Sequence, residues 1–134
     1  MSLKIYKKKL EYSYSLGIHP TIELLIQKPH LVKNVLIASK SQDGPGINKI
    51  KELCKNNNIN IDIADNAISK IALKDKTQVI GVFKKFNISL EKNKNHIVLV
   101  NPTNPGNVGT IFRSALGFNF KDIAIINPAV DIYE

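Results

Sequence analysis

The spacing of apolar residues changes several times along the chain, and each change marks an element. In HPTIELLIQKP (19–29), Ile22, Leu25 and Ile26 stand at i, i+3 and i+4 with Pro20 in the first turn, which predicts a short helix that Pro29 ends. VKNVLIAS (32–39) is a strand-length run of β-branched and aliphatic residues, and SQDGPG (41–46) is a turn cluster. Ile47, Ile50, Leu53 and Cys54 then recur with helical period until Asn56, Asn57 and Asn58 stop the segment. INIDIA (59–64) alternates like a strand, with Ile59, Ile61 and Ile63 on one face. Asp65 is placed to cap a third helix, NAISKIALK (66–74), whose stripe is Ile68, Ile71 and Ala72. VIGVFKKF (79–86) is the third strand of the series. The residues ahead of His19 read as a basic leader.

Strands and helices alternating at this spacing predict an α/β fold, with a three-layer α/β sandwich over residues 1–90. NISLEKNKN (87–95) is polar and reads as a linker. A second unit, residues 96–134, begins with a buried-type strand, HIVLV (96–100), and a dense turn segment, NPTNPGNVG (101–109). A helix, TIFRSALGF (110–118), and a second strand, DIAIIN (122–127), complete one βαβ unit, whose strands a right-handed crossover makes parallel. Two strands and one helix cannot cover both faces of a sheet, so Val98, Val100, Ile123 and Ile125 are expected to expose apolar surface.

Composition narrows the class. Of the 134 residues 43% are hydrophobic and 22% charged, which is globular. No run approaches the length of a membrane span and no apolar h-region follows the basic start, so no membrane partner is expected and the cytoplasm is the default compartment. Cys54 is the single cysteine, which excludes an internal disulfide and a cysteine-built zinc site. The net charge of +8 is unevenly placed: residues 1–90 hold 15 lysines against 7 acids, while residues 91–134 hold 3 lysines and 1 arginine against 4 acids. A polyanionic partner is therefore expected on the first unit, although a lysine- and asparagine-rich composition also arises from an A/T-rich coding sequence.

The loop at 101–109 is the chemically interesting segment. Its asparagines, prolines and glycines fix a turn whose N–H groups, with the positive end of the next helix, can hold an anion; an ordinary βα loop needs the same residue types. Arg113 is the one arginine, expected a turn into the helix and close to the loop, where it would add a bidentate donor fork or make a surface salt bridge. His19, His30 and His96 are scattered singles, which predicts no metal site, and neither a GxGxxG fingerprint nor a P-loop is present.

IVLVNPTNPGNVGTIFRSALGFNFKDIAII (97–126) resembles the first motif of SpoU-type (TrmH-like) RNA methyltransferases of the SPOUT superfamily, a buried strand, a loop ending in Asn-x-Gly and a helix carrying Arg six residues after that Asn. Asn107, Gly109 and Arg113 match that motif in order and spacing. GIHPTIELL (17–25) and VIGVFKKF (79–86) resemble the opening and closing segments of the family's N-terminal substrate-binding domain. Where the family often has Phe-Gly this chain has Phe118-Asn119, which Asn can fill at positive φ. The resemblance implies S-adenosylmethionine-dependent 2′-O-methylation of ribose in rRNA or tRNA, residues 1–90 as RNA-binding domain and 96–134 as the first βαβ unit of the SPOUT α/β-knot domain. It also implies Arg113 and Asn107 as catalytic residues, Asn104 and Gly109 as RNA contacts, and a homodimer for the full-length protein. The chain ends at NPAVDIYE, before the two motifs that in the family form the knot and hold the cofactor, so no cofactor-binding residue is expected in it and the chain alone is expected to be inactive. Two other readings stay open: a stand-alone RNA-binding protein of the ribosomal type, and a nucleotide-binding α/β domain, which Asn127 disfavours because it stands where an acidic ribose ligand should end the second strand.

Overall fold

A computed structural model of the chain describes residues 2–72 and 76–134. It divides into two compact units, residues 1–85 with 133–134, and residues 86–132. The linker segment 87–95 thus groups with the second unit, and the last two residues with the first, where Ser13 Oγ donates to the Tyr133 carbonyl.

In the first unit the chain runs β1 (Tyr12–Leu16), α1 (Ile18–Gln27), a 3₁₀ turn (Pro29–Leu31), β2 (Val32–Ile37), α2 (Pro45–Asn56), β3 (Asn60–Ile63), α3 (Asp65–Ile71) and β4 (Val79–Lys84). The sheet order is β1-β4-β2-β3, with β2 and β3 parallel and the other pairs antiparallel. One face is closed by α1 and α2, whose Leu25, Ile47, Ile50 and Cys54 pack on Val35 and Ile37. The other is closed by the short α3, whose Ile68 packs with Tyr12, Leu36, Ile80 and Val82.

Two expectations need correction here. The basic leader contains a strand: Tyr12, Tyr14 and Leu16 alternate with Ser13 and Ser15, and β1 pairs with β4 from Tyr12↔Lys84 to Leu16↔Ile80. Asp65 is the first residue of α3 and Ala64 its cap; the Asp65 carboxylate instead accepts from the Ser39 N–H at 2.8 Å, across to the end of β2. That helix ends at Ile71, and Leu73 and Lys74 of the expected helix lie outside the described residues.

Gly81 of β4 explains how closely α1 sits on the sheet. A Cβ there would lie 2.5 Å from Ser15 Oγ, 3.1 Å from Leu24 Cδ2 and 3.3 Å from Thr21 Cγ2, so only hydrogen fits between strand and helix. Ser15 Oγ and Thr21 Oγ1 meet at 2.9 Å beside it, which satisfies both hydroxyls in the interior.

The second unit is β5 (His96–Val100), α4 (Pro105–Gly117) and β6 (Asp122–Ile126), with the strands parallel and in register from His96↔Asp122 to Val100↔Ile126. Asn119 takes φ 61°, and the bonds Asn119 N–H to Leu116 C=O (3.0 Å) and Phe120 N–H to Ala115 C=O (2.8 Å) close α4. The register also corrects the expected bare face. Ile97 pairs with Ile123 and Leu99 with Ile125 on the side that α4 half covers, so the open side carries Val98 (53% exposed), Val100 (65%) and Ile126 (48%), with Ala124 between them. Ile123 and Ile125 are half-buried.

Candidate active site

The carboxyl end of β5 is where an open α/β unit places its ligands, because the strand carbonyls end there and the helix N-terminus opens beside them. Asn101 makes the exit from β5. It adopts φ 48°, its N–H donates to the Ile126 carbonyl at 3.0 Å, and its Nδ2 donates to the Pro128 carbonyl at 3.2 Å. Val130 N–H returns to the Pro102 carbonyl at 2.8 Å, so residues 101–102 and 128–130 hold each other.

The turn segment is shorter than its composition predicts, and α4 begins at Pro105 rather than at residue 110. Pro105 occupies the first position, where a missing N–H is harmless. Asn104 is the N-cap: its Oδ1 accepts from the Asn107 N–H at 2.9 Å, and its carbonyl from the Val108 N–H at 3.1 Å. The capping asparagine is thus Asn104 and not Asn107, and both N–H groups are occupied by the chain rather than left open to an anion. A Cβ on Gly106 would come within 3.2 Å of Asn104 Oδ1, so that glycine, which the motif does not single out, keeps the cap unobstructed.

Arg113 is the ninth residue of α4, not one turn in. Its guanidinium nevertheless turns back along the helix. Nη2 donates to Thr110 Oγ1 at 3.4 Å, Thr110 Oγ1 in turn donates to the Gly106 carbonyl at 3.0 Å, and Nη1 lies 3.8 Å from where a Gly109 Cβ would stand. Gly109 is the open space over which the fork lies. Arg113 is exposed, and no carboxylate among the described residues pairs with it, so the surface salt bridge is not formed.

Asn107 and Arg113 are not brought together. Six residues separate them, a rise of about 9 Å and a rotation of about 120° apart on the helix. Asn107 instead lines an open hollow of about 360 Å³ with Val98, Val100, Asn101, Asn104 and Ile111. Thr110, which sequence reasoning passed over, sits between the two groups, and its i−3 spacing to Arg113 was the available signal.

At the opposite end of the strands, Asp122 is buried at 7% exposure. Its Oδ2 accepts from the Glu91 N–H at 2.9 Å and lies 3.6 Å from His96 Nε2, which donates to the Glu91 carbonyl at 2.7 Å. This trio pins the segment before β5 and faces away from the hollow. Among the described residues no three His, Cys, Asp or Glu side chains gather as metal ligands, and no helix is long and apolar enough to cross a membrane.

Comparison with known proteins bears on the same segment. The model of the SpoU rRNA Methylase family matches residues 94–134. An rRNA methyltransferase from Sinorhizobium meliloti superposes with TM-score 0.67 at 18% identity, over 92% of this chain and 47% of its own. The SpoU methyltransferase AviRb from Streptomyces viridochromogenes, solved with AdoMet, gives TM-score 0.69 at 20% identity, over 92% and 48%. An RNA 2′-O ribose methyltransferase gives TM-score 0.62 at 17%, over 92% and 48%. This chain spans about half the length of those structures, and among curated proteins none matches it. The resemblance read from the motif is thus shown, by the family match on 94–134 and by the shared fold over most of the chain.

Proposed function

We propose, with residues 94–134 as a SpoU-type segment, that the chain serves S-adenosylmethionine-dependent 2′-O-methylation of ribose in rRNA or tRNA. Residues 1–90 hold the RNA, and residues 96–134 contribute the substrate side of the methyl-transfer site. The observation that carries this reading is Arg113, an exposed guanidinium held by Thr110 over the gap at Gly109, with no carboxylate among the described residues paired with it.

A ribose 2′-hydroxyl is a weak nucleophile until its proton is drawn away, and a phosphate lies next to it in RNA. A guanidinium holds its own proton too firmly to be a ready base. Its contribution is to receive the phosphate with its planar fork and to stabilise the charge that develops on the oxygen. The Asn107 amide offers a donor and an acceptor from the hollow wall, and Asn104 keeps its Nδ2 donors available to RNA after its Oδ1 has capped the helix.

None of the described residues is assigned to S-adenosylmethionine. Around the hollow, the Asn101 Nδ2 and the Asn104 Oδ1 are committed to backbone groups, and what remains is open, without converging buried polar groups. No methyl-transfer step is assigned to them, and these 134 residues alone are expected neither to bind the cofactor tightly nor to methylate RNA. A protein of the relatives' length is expected to act as a cytoplasmic homodimer.

The test is Arg113→Ala and Arg113→Lys in a protein of that length. Removing a donor aimed at developing charge costs about 10²–10³ in rate, so both variants should lose turnover on that scale while cofactor affinity holds. Methylation at the wild-type rate by Arg113→Ala, or micromolar S-adenosylmethionine binding to the 134 residues in a calorimeter, overturns the reading.

A further inference from the structure

At one end of the sheet of the first unit, lysines gather around tyrosine rings. The reverse turn closed by Leu10 N–H to the Lys7 carbonyl (2.9 Å) carries Lys7, Lys8 and Lys9, all exposed. It is tied to the end of β4, where Lys85 N–H donates to the Glu11 carbonyl at 2.9 Å and Lys85 Nζ to the Lys8 carbonyl at 2.8 Å, 4.6 Å from the Tyr6 ring centroid. Lys84 stands beside Tyr12 in register. A sixth lysine arrives through an irregularity: the β2–β4 register shifts between Val32 and Asn34, and Lys33 at that point carries its Nζ 5.3 Å over the Tyr12 ring. Bulges of this kind re-aim a side chain that regular pleating would send to the other face. Lys85 Nζ also lies 5.6 Å from the Tyr133 ring, so the carboxylates at this end are Glu11 and the chain-terminal Glu134, against six lysines.

Lys33 also borders an open hollow of about 660 Å³ on the α3 side of the sheet. Its apolar floor is Leu36, Ala64 and Ala67, and its rim carries the amides of Asn34, Asn60 and Asn66, with Lys70 beyond them. Asn34 and Asn60 are register partners on one face, and Asn34 Nδ2 donates to Asp62 Oδ2 at 2.9 Å.

We propose that this lysine-rich end and the adjoining hollow form one binding surface for an unpaired stretch of RNA, with phosphates on the lysines and a base in the hollow. The proposal rests on the RNA reading above and says where on the first unit the RNA lies. Lysines that outnumber the carboxylates beside them release counterions when they meet phosphates. A carboxamide presents a donor and an acceptor together, as a base edge does, and an apolar floor takes the face of a base. Both contacts together require a base out of its helix, because in a paired A-form helix the base faces are stacked on one another and the major-groove edges are out of reach.

The test uses the 134-residue chain, with fluorescence anisotropy on two RNAs of equal length, a hairpin with a single-stranded loop and a blunt duplex. The hairpin should bind about tenfold tighter, the scale of one stacked base. Lys7→Ala, Lys8→Ala and Lys9→Ala together should flatten the slope of log affinity against log salt by about 2, three contacts at about 0.7 each. Lys40→Ala, Lys49→Ala and Lys55→Ala remove the same charge from exposed positions elsewhere and should change it by less than about 0.5. Asn34→Ala with Asn60→Ala should erode the hairpin preference and leave the slope alone. Equal slope changes from the two lysine sets, or an asparagine variant that keeps the full preference, overturns the surface. A wild-type chain that binds neither RNA overturns the RNA reading itself, which separates the two failures.

Discussion

Asn104→Ala tests how the candidate active site is held. Asn104 accepts the Asn107 N–H at 2.9 Å, the side-chain cap of α4, so alanine leaves that donor to water and the helix start unpinned. Loss of such a cap costs typically about 1 kcal/mol, within a range of about 0.5–2, which at room temperature is about a fivefold shift toward the opened state. Native-state hydrogen exchange followed by NMR should show the Asn107 amide exchanging freely, and the amides of Ile111 and Phe112 exchanging about fivefold faster. Asn104→Asp keeps the acceptor and places a negative charge where the helix end favours it, so exchange should stay at or below the wild-type rate. The aspartate also removes the Nδ2 donors and repels phosphate, so its RNA affinity should drop even though the helix is intact. If Asn104→Ala leaves exchange unchanged, the cap does not hold the helix; if Asn104→Asp binds RNA like the wild type, Asn104 is not an RNA contact.

Gly81→Ala should destabilise the first unit by about 1–3 kcal/mol, the usual penalty for overpacking, read as a lower urea midpoint at constant slope. Asp122→Ala removes the carboxylate that accepts the Glu91 N–H and should cost the second unit about 1.5–3 kcal/mol, the usual worth of a hydrogen bond to a charged group, seen as faster exchange of the Glu91 amide; an unchanged rate would contradict the clasp. Burial pushes the Cys54 thiol up to about 11, so a disulfide reagent at pH 8 should label the chain only after denaturation. Because the folded value is the raised one, the stability linked to Cys54 is fully present below the ordinary thiol range and is lost as pH climbs through about 11; a Cys54→Ala variant should lack that alkaline decline.

Much of this chain is legible locally. The apolar runs at 32–39, 79–86, 96–100 and 122–127 hold β2, β4, β5 and β6, and the helical stripes through Leu25, Ile50 and Ile68 are the faces that α1, α2 and α3 bury. Asn107, Gly109 and Arg113 are a sequence motif, found by spacing alone. β1 was hidden because its alternation uses tyrosine and serine inside a lysine-rich stretch, without the run of aliphatic residues that marks the other strands. α4 begins five residues before its apolar pattern, because Pro105, Gly106 and Asn107 look like loop residues until Asn104 caps them.

What the sequence determined by itself was the identity and order of most elements, the concentration of charge in residues 1–90, and the motif that ties residues 97–126 to a family. Those follow from periodicities of two and of three to four residues and from fixed spacings, which neighbouring residues specify. The tertiary structure alone decided that Ile126 and not Ile123 shares the bare face with Val98, that Asp122 is buried against the Glu91 N–H, and that Lys33 turns onto Tyr12. Each depends on strand register or on a contact across many residues. A shift of one position in register exchanges the two faces of a strand, and no local pattern of apolar residues specifies that shift.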